Sequence, residues 1–164
     1  MAACSPASST DPLSTQERVT MNKHFKRILV PVDGSAGAGR AAAYAADLAG
    51  TVDCPITLLF VYHPDPNRVM GMVGLPRERI EEISKEAGAK TFASAREAMG
   101  DTSVDIEEKV IWGEPREEIL ALADQTEALI VMGRRGLGQM KELMVGSVSA
   151  GVLHTSKRPV TIVN

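Results

Sequence analysis

Five short apolar runs alternate with longer amphipathic segments along the chain. Three of the runs, at residues 26–32, 55–62 and 128–132, are almost continuously apolar, which predicts buried strands of a sheet. The third run instead alternates apolar and charged residues, as is typical of an edge strand with one wetter face. The predicted strands cover residues 26–32, 55–62, 104–112, 128–132 and 160–163.

The segments between these runs carry apolar residues at helical spacing, so four of them are predicted to form helices. In the alanine-rich first segment, Tyr44 is predicted to face the sheet with three other apolar residues, and Gly50 to end the helix. Gly88 is a predicted weak point of the second helix, and Pro115 is predicted to open the third. The predicted helices extend to residue 48, from 76 to 99, from 115 past 123, and from about 147 to 158.

This alternation of strands and helices predicts a single α/β domain, a doubly wound five-stranded parallel sheet with helices on both faces. In such Rossmann-like sheets, ligands bind beyond the carboxyl ends of the strands, at the point where the strand order reverses. The first and fourth strands are expected to lie side by side at that reversal. The polar residues after the first strand and the glycine-rich segment after the fourth are therefore predicted to form one ligand site.

The glycine-rich segment has the sequence GRRGLGQMKELMVGS and covers residues 133–147. Its first glycines let the backbone approach a ligand closely, although they can equally serve only a tight connection. Gly146 precedes the unpaired amides of Ser147, Val148 and Ser149 at a predicted helix N-terminus, where the helix dipole favours an anion. The two serine hydroxyls would add donors, and Ser147 can also be the helix N-cap.

Composition and charge narrow the class of function. The net charge of −3 gives no electrostatic footprint for nucleic acid, and the apolar runs are too short to span a bilayer. Cys4 and Cys54 lie far apart, so neither a disulfide framework nor a metal-ligand spacing is present, and a reducing cytoplasm is the expected compartment. Residues 1–20 are predicted to be a disordered extension and residues 21–164 the folded domain.

The spacing Gly133-x2-Gly136-x9-Gly146-Ser147 resembles the ATP-binding motif of the universal stress protein family, G-x2-G-x9-G-[S/T], with every fixed position filled. The resemblance extends over about the whole of residues 26–163, including the opening RILVPVDGS and the closing GSVSAGVLHTSKRPVTIV. It implies an adenine-nucleotide α-hydrolase-like fold, ATP as the ligand with or without Mg²⁺, and a regulatory role in the stress response.

Twelve residues are predicted to hold the nucleotide. The resemblance implies that Asp33 contacts the ribose or a phosphate-bound metal, whereas the residues alone also allow Asp33 to cap the first helix. Arg134, like Arg135 and Lys141, can neutralise phosphate or belong to a solvated basic face. The loop of residues 63–75 is predicted to order over the bound base. The full set is Pro31, Val32, Val61 and Met132 around the adenine, as the resemblance implies, and Asp33, Gly133, Arg134, Gly136, Gly146, Ser147, Val148 and Ser149.

Two other nucleotide-binding motifs are not supported. Residues 37–42 have the form G-x-G-x-x-A, but they lie inside the predicted first helix, and no acidic residue ends the second strand. The chain also lacks the Gly-Lys pair of a P-loop. No catalytic residues are predicted, and ATP hydrolysis is expected to be slow at most. An ATP-using or NAD-linked enzyme on the same fold and a purely structural dimerising module are the alternative functions.

The last predicted strand indicates a homodimer. Val160, Thr161, Ile162 and Val163 are expected at one edge of the sheet, beside the fourth strand, and the chain ends at Asn164. An uncovered apolar edge without charge is a template for pairing with another chain. Two copies related by a two-fold axis would pair these strands antiparallel, and the resemblance implies the same arrangement.

Overall fold

The computed structural model of the protein describes residues 25–64, 70–138 and 145–164. The predicted N-terminal extension lies outside these ranges. The strands are β1 Arg27–Pro31, β2 Ile56–Tyr62, β3 Ile106–Trp112, β4 Ala128–Gly133 and β5 Val160–Val163. The longer helices of the described residues are α1 Ala36–Val52, α2 Arg77–Met99, α3 Pro115–Thr126 and α4 Ser147–Thr155.

The five strands form one parallel sheet in the order β3-β2-β1-β4-β5. The chain moves outward from β1 to β3 on one side and then returns to β4 on the other side of β1. The strand order therefore reverses between β1 and β4, as predicted. β3 and β5 form the two edges, which is also the predicted arrangement. Within the described residues, no helix is both long and apolar enough to cross a membrane.

The sheet separates two hydrophobic layers, and the central strands are buried on both faces. Ile28 and Val30 of β1 pack with α1 and α2 on one side, whereas Leu29 packs with α3 and α4 on the other. All three side chains are fully buried, as expected for a strand in the middle of a parallel sheet. The α/β fold with helices on both faces is confirmed.

The ends of two helices differ from the sequence-based predictions. α1 continues through Gly50 to Val52 and ends at Asp53, which adopts the left-handed conformation itself, so the predicted stop at Gly50 is wrong. Tyr44 is 47% exposed because alanines form the stripe of α1 that faces the sheet, so its predicted orientation is also wrong. α4 ends at Thr155 rather than at residue 158, since Ser156 is already extended.

Gly88 is a packing contact of α2 and not the predicted weak point. It is buried, and a Cβ atom at this position would lie 2.7 Å from Cγ2 of Val110 and 3.4 Å from the ring of Phe60. The missing side chain therefore lets α2 lie directly on β2 and β3. By contrast, a Cβ atom at Gly50 would meet nothing within 4 Å.

We expect alanine to have opposite effects at these two helical glycines. Gly50→Ala should stabilise the protein by about 0.5–1 kcal/mol, because alanine loses less conformational entropy in a helix. Gly88→Ala should lower stability by up to about 2 kcal/mol, because overpacking against the stiff Val110 side chain outweighs the same gain. Urea denaturation of the two variants and the parent provides the measurement. A Gly88→Ala protein as stable as Gly50→Ala would contradict the close packing of α2.

Candidate functional site

A cavity of about 220 Å³ opens at the carboxyl ends of β1, β2 and β4. Its walls come from the ends of these strands, from the loop that follows β4, and from the N-terminal turns of α1, α3 and α4. This is the reversal point of the strand order, where ligands of doubly wound sheets bind. The cavity therefore lies where the sequence predicted the site.

Eleven of the twelve predicted residues line the cavity, and Arg134 does not. The neighbouring Arg135 lines it instead. Other lining residues were also missed by the sequence analysis. Leu59 could have been predicted, because it precedes Val61 by two positions and therefore lies on the same face of the strand. The additional lining residues are Ser35, Ala38, Leu59, Pro115, Ile119, Arg135, Leu137 and Gly138.

One end of the cavity is apolar. Leu59, Ile119 and Met132 line it and also belong to the buried cluster between the sheet and helices α3 and α4. Val61 is partly buried against the same cluster. The hydrophobic core thus opens directly into the cavity, and a flat apolar group can pack there without meeting a charge.

The N-terminus of α4 also lines the cavity. Its N-cap is Gly146, which has no side chain to accept a hydrogen bond from the first turn. The first intrahelical bond runs from the amide of Ala150 to the carbonyl of Gly146, so the amides of residues 147–149 have no acceptor within the helix. Ser147 is therefore the first residue of α4 and not its cap. These amides and the helix dipole favour an anion.

The N-terminus of α1 also borders the cavity, but it is capped by its own chain. Ser35 is the N-cap, and its hydroxyl accepts the amide of Ala38 at 3.2 Å. Asp33 does not cap α1. Its Oδ1 accepts the amide of Ser35 at 2.9 Å and its Oδ2 accepts the amide of Leu137 at 3.1 Å. Asp33 thus connects the end of β1 to the loop after β4. Unlike α1, α4 has no side-chain cap, and neither has α3, whose N-cap is Glu114.

The three positions of the motif that hold glycine differ in how much room they leave for a side chain. A Cβ atom at Gly133 would lie 2.6 Å from the backbone of Gly37, and one at Gly136 would collide with Oδ2 of Asp33. At Gly146 the nearest atoms, in Arg134 and Arg135, lie 3.4 Å away, and its φ of −62° suits any residue. The tight-connection alternative therefore accounts for the first two glycines but not for Gly146.

Ser149 holds the first turn of α4 against the end of β4. Its hydroxyl donates a hydrogen bond of 2.9 Å to the carbonyl of Gly133, and the side chain is 4% exposed. Because this hydroxyl already donates its hydrogen to the Gly133 carbonyl, it is not available as a donor to a ligand, and the prediction of an extra donor at Ser149 is wrong. The hydroxyl of Ser147 lies on an exposed residue at the cavity.

Arg134 connects three segments through its backbone. Its amide donates to the carbonyl of Val163, and its carbonyl accepts the amide of Gly146 at 2.9 Å. Arg134 therefore joins β5 and the N-cap of α4 to the end of β4. In the predicted loop over the base, residues 65–69 lie outside the described residues, and residues 70–75 do not line the cavity.

Comparison with known proteins identifies a family. Residues 24–164 match the model of the universal stress protein family. Universal stress protein YxiE of Bacillus subtilis is 35% identical over 146 residues, which cover 85% of this chain and 99% of that protein.

Two solved structures are similar in fold and carry bound nucleotides. A universal stress protein in complex with cAMP has a TM-score of 0.56 and 29% identity, covering 85% of this chain and 97% of that one. The universal stress protein from Archaeoglobus fulgidus in complex with dAMP has a TM-score of 0.59 and 25% identity, covering 85% and 98%.

The two serines of the first turn of α4 should differ in their effect on stability. Ser149→Ala removes a buried donor and leaves the Gly133 carbonyl without its side-chain partner, so we expect a loss of about 1–3 kcal/mol. Ser147→Ala removes an exposed hydroxyl and should change stability by less than about 0.5 kcal/mol. Guanidinium denaturation of both variants tests the contrast, and equal stabilities would show that the Ser149 bond holds nothing in place.

Proposed function

The chain belongs to the universal stress protein family, and we propose that it is a stress-response regulatory protein that binds an adenine nucleotide, ATP, in the cavity between β1 and β4. The observation that carries this proposal is the N-terminus of α4, which has no side-chain cap and lines a cavity together with residues of the hydrophobic core. The similar structures with cAMP and dAMP support an adenine nucleotide. The cytoplasm is the compartment that we propose, because the two cysteines of the sequence lie far apart in the chain and give no disulfide framework.

The two kinds of lining in the cavity match the two parts of a nucleotide. The adenine would pack among Pro31, Val32, Val61 and Met132. One phosphate would lie against the amides of residues 147–149, where the helix dipole and the unpaired donors act on the same charge. A ligand with only one of these properties would leave part of the cavity lining unmatched.

In this proposal Asp33 contacts the ribose or a metal ion carried by the phosphates. Among the described residues, Asp33 is the single carboxylate that lines the cavity, and there is no cluster of three metal-ligating side chains. Mg²⁺ is commonly bound by one or two carboxylates together with substrate phosphates, so Asp33 fits an ion that arrives with the nucleotide. Bound there, Mg²⁺ would neutralise phosphate charge.

Nucleotide retention fits the cavity better than rapid turnover. Among the described residues, the titratable side chains that line it are Asp33 and Arg135. Both carboxylate oxygens of Asp33 already accept a hydrogen bond from a backbone amide, and an arginine side chain does not act as a general base. We therefore propose that hydrolysis, where it occurs, is slow, and that the bound or empty state of the cavity is what partners sense.

Gly146→Val tests the phosphate assignment. The backbone of Gly146 suits any residue and its nearest neighbours lie at 3.4 Å, so we expect the variant to fold. Its branched side chain would occupy the approach to the α4 amides, and ATP binding measured by calorimetry should be abolished. Gly50→Ala is the control, with unchanged binding. A folded Gly146→Val protein with the affinity of the parent would show that the phosphates do not lie at α4.

We also propose that the protein forms a homodimer through β5. The carbonyl of Pro159 accepts the amide of Ile130 in β4, and the carbonyl of Val163 accepts the amide of Arg134 just after β4. The side to which backbone groups point alternates along a strand, so the backbone polar groups of Val160 and Ile162 face away from β4. Among the described residues, no strand pairs with that outer edge. Antiparallel pairing with a second copy would satisfy these groups around a two-fold axis.

Ile162→Pro tests this interface through the backbone. Proline removes an amide that faces the free edge and leaves the ladder to β4 in place, so the dimer should dissociate. Ile162→Val retains the amide and should remain dimeric, and Ile162→Lys provides a second disruption by charge. Analytical ultracentrifugation gives the subunit number, and circular dichroism confirms folding. A monomeric parent at micromolar concentration, or folded proline and lysine variants as dimeric as the parent, would rule out this edge.

A further inference from the structure

Arg135 is fixed between the N-termini of two helices. A Cβ atom at Gly37 of α1 would lie 2.5 Å from the carbonyl oxygen of Arg135, and one at Gly146 would lie 3.4 Å from its Cα atom. The backbone of Arg135 therefore touches α1 on one side and the N-cap of α4 on the other. Its half-buried side chain starts beside the open amides of α4 and lines the cavity.

The guanidinium of Arg135 differs from most others in the protein in having no carboxylate partner among the described residues. Five arginines form ion pairs with acidic side chains, namely Arg27, Arg77, Arg79, Arg96 and Arg158. The carboxylate that lines the same cavity, Asp33, is instead hydrogen-bonded to the amides of Ser35 and Leu137. A half-buried arginine without an anion is costly unless a ligand supplies one.

The charges of the cavity show what that anion must be. Among the described lining side chains, Asp33 contributes one negative charge, Arg135 contributes one positive charge, and the others are neutral. With one phosphate at the α4 terminus, each further phosphate adds negative charge, and Arg135 is the described lining side chain that can neutralise it. A guanidinium presents a planar fork of donors that suits phosphate oxygens.

We propose that Arg135 is the specificity-determining residue that makes the site prefer nucleoside di- and triphosphates over monophosphates and cyclic monophosphates. This inference rests on the proposed nucleotide site and adds that the site distinguishes nucleotides by their number of phosphates. Arg135 contacts the phosphates beyond the one held by α4, so its contribution appears with ATP and ADP and vanishes with AMP.

Calorimetry with ATP, ADP, AMP and adenosine on the full chain tests the proposal. Arg135→Ala should weaken ATP binding by about tenfold or more, as expected for a hydrogen bond to a charged group, and should leave AMP and adenosine within about twofold. Arg135→Lys keeps the positive charge but lacks the planar donors of a guanidinium, so it should recover part of the ATP affinity that Arg135→Ala loses. Arg79→Ala removes a cation from the exposed surface of α2 and should change nothing. Added salt should weaken ATP more than AMP in the parent but equally in Arg135→Ala.

The outcomes separate this inference from the proposed function. If the parent binds none of the four ligands, the proposed nucleotide-binding function is wrong, and the proposed role of Arg135 is wrong as well. If the parent binds AMP as tightly as ATP, or if Arg135→Ala lowers the affinity for both ligands by the same factor, the protein has a nucleotide site but Arg135 does not distinguish nucleotides by their number of phosphates. An unchanged ratio of ATP to AMP affinity in Arg135→Ala overturns the proposal on its own.

Discussion

The close contact between the backbone of α1 and the end of β4 is the constraint on which the rest of the site depends. Gly133 lies there against the backbone of Gly37, and a Cβ atom on Gly133 would collide with it, whereas a Cβ atom on Gly37 would collide with the carbonyl oxygen of Arg135 just after β4. This contact sets how near the first turn of α1 lies to the loop after β4. It thereby brings Asp33 within hydrogen-bonding distance of Leu137 and leaves Arg135 between two helices.

The helix N-termini that border the cavity are used differently by the chain. α1 is capped by Ser35, so its first turn is satisfied internally and can serve as a rigid support. α4 has Gly146 as its N-cap, and its first turn is held against β4 by the bond from Ser149 to Gly133. The amides of that first turn are therefore available to an anion, in a cavity that the hydrophobic core also lines.

The sequence predicted the strand order and most of the cavity because both depend on strong local patterns. Continuous apolar runs, the helical spacing between them and the glycine spacing are all visible without coordinates. The features that the sequence did not predict depend on contacts between segments that lie far apart in the chain. Arg134 and Arg135 are equivalent in sequence, and only the packing of the loop against α1 decides which of them lines the cavity. The acceptor of the Ser149 hydroxyl lies 16 residues earlier in the chain, and Asp53 ends α1 in a conformation for which glycine is usually the signal.

The unequal demands on the three glycines have a consequence for how such proteins diverge. Gly133 is required by the fold itself, because it lies against the backbone of Gly37, whereas Gly136 lies against the Asp33 carboxylate and nothing in the packing around Gly146 requires a glycine. A descendant that lost its ligand would stay under selection at Gly133 and be free to drift at Gly146. Within a lineage, a side chain at the Gly146 position beside an intact Gly133 would therefore mark a domain that kept its architecture after losing the nucleotide.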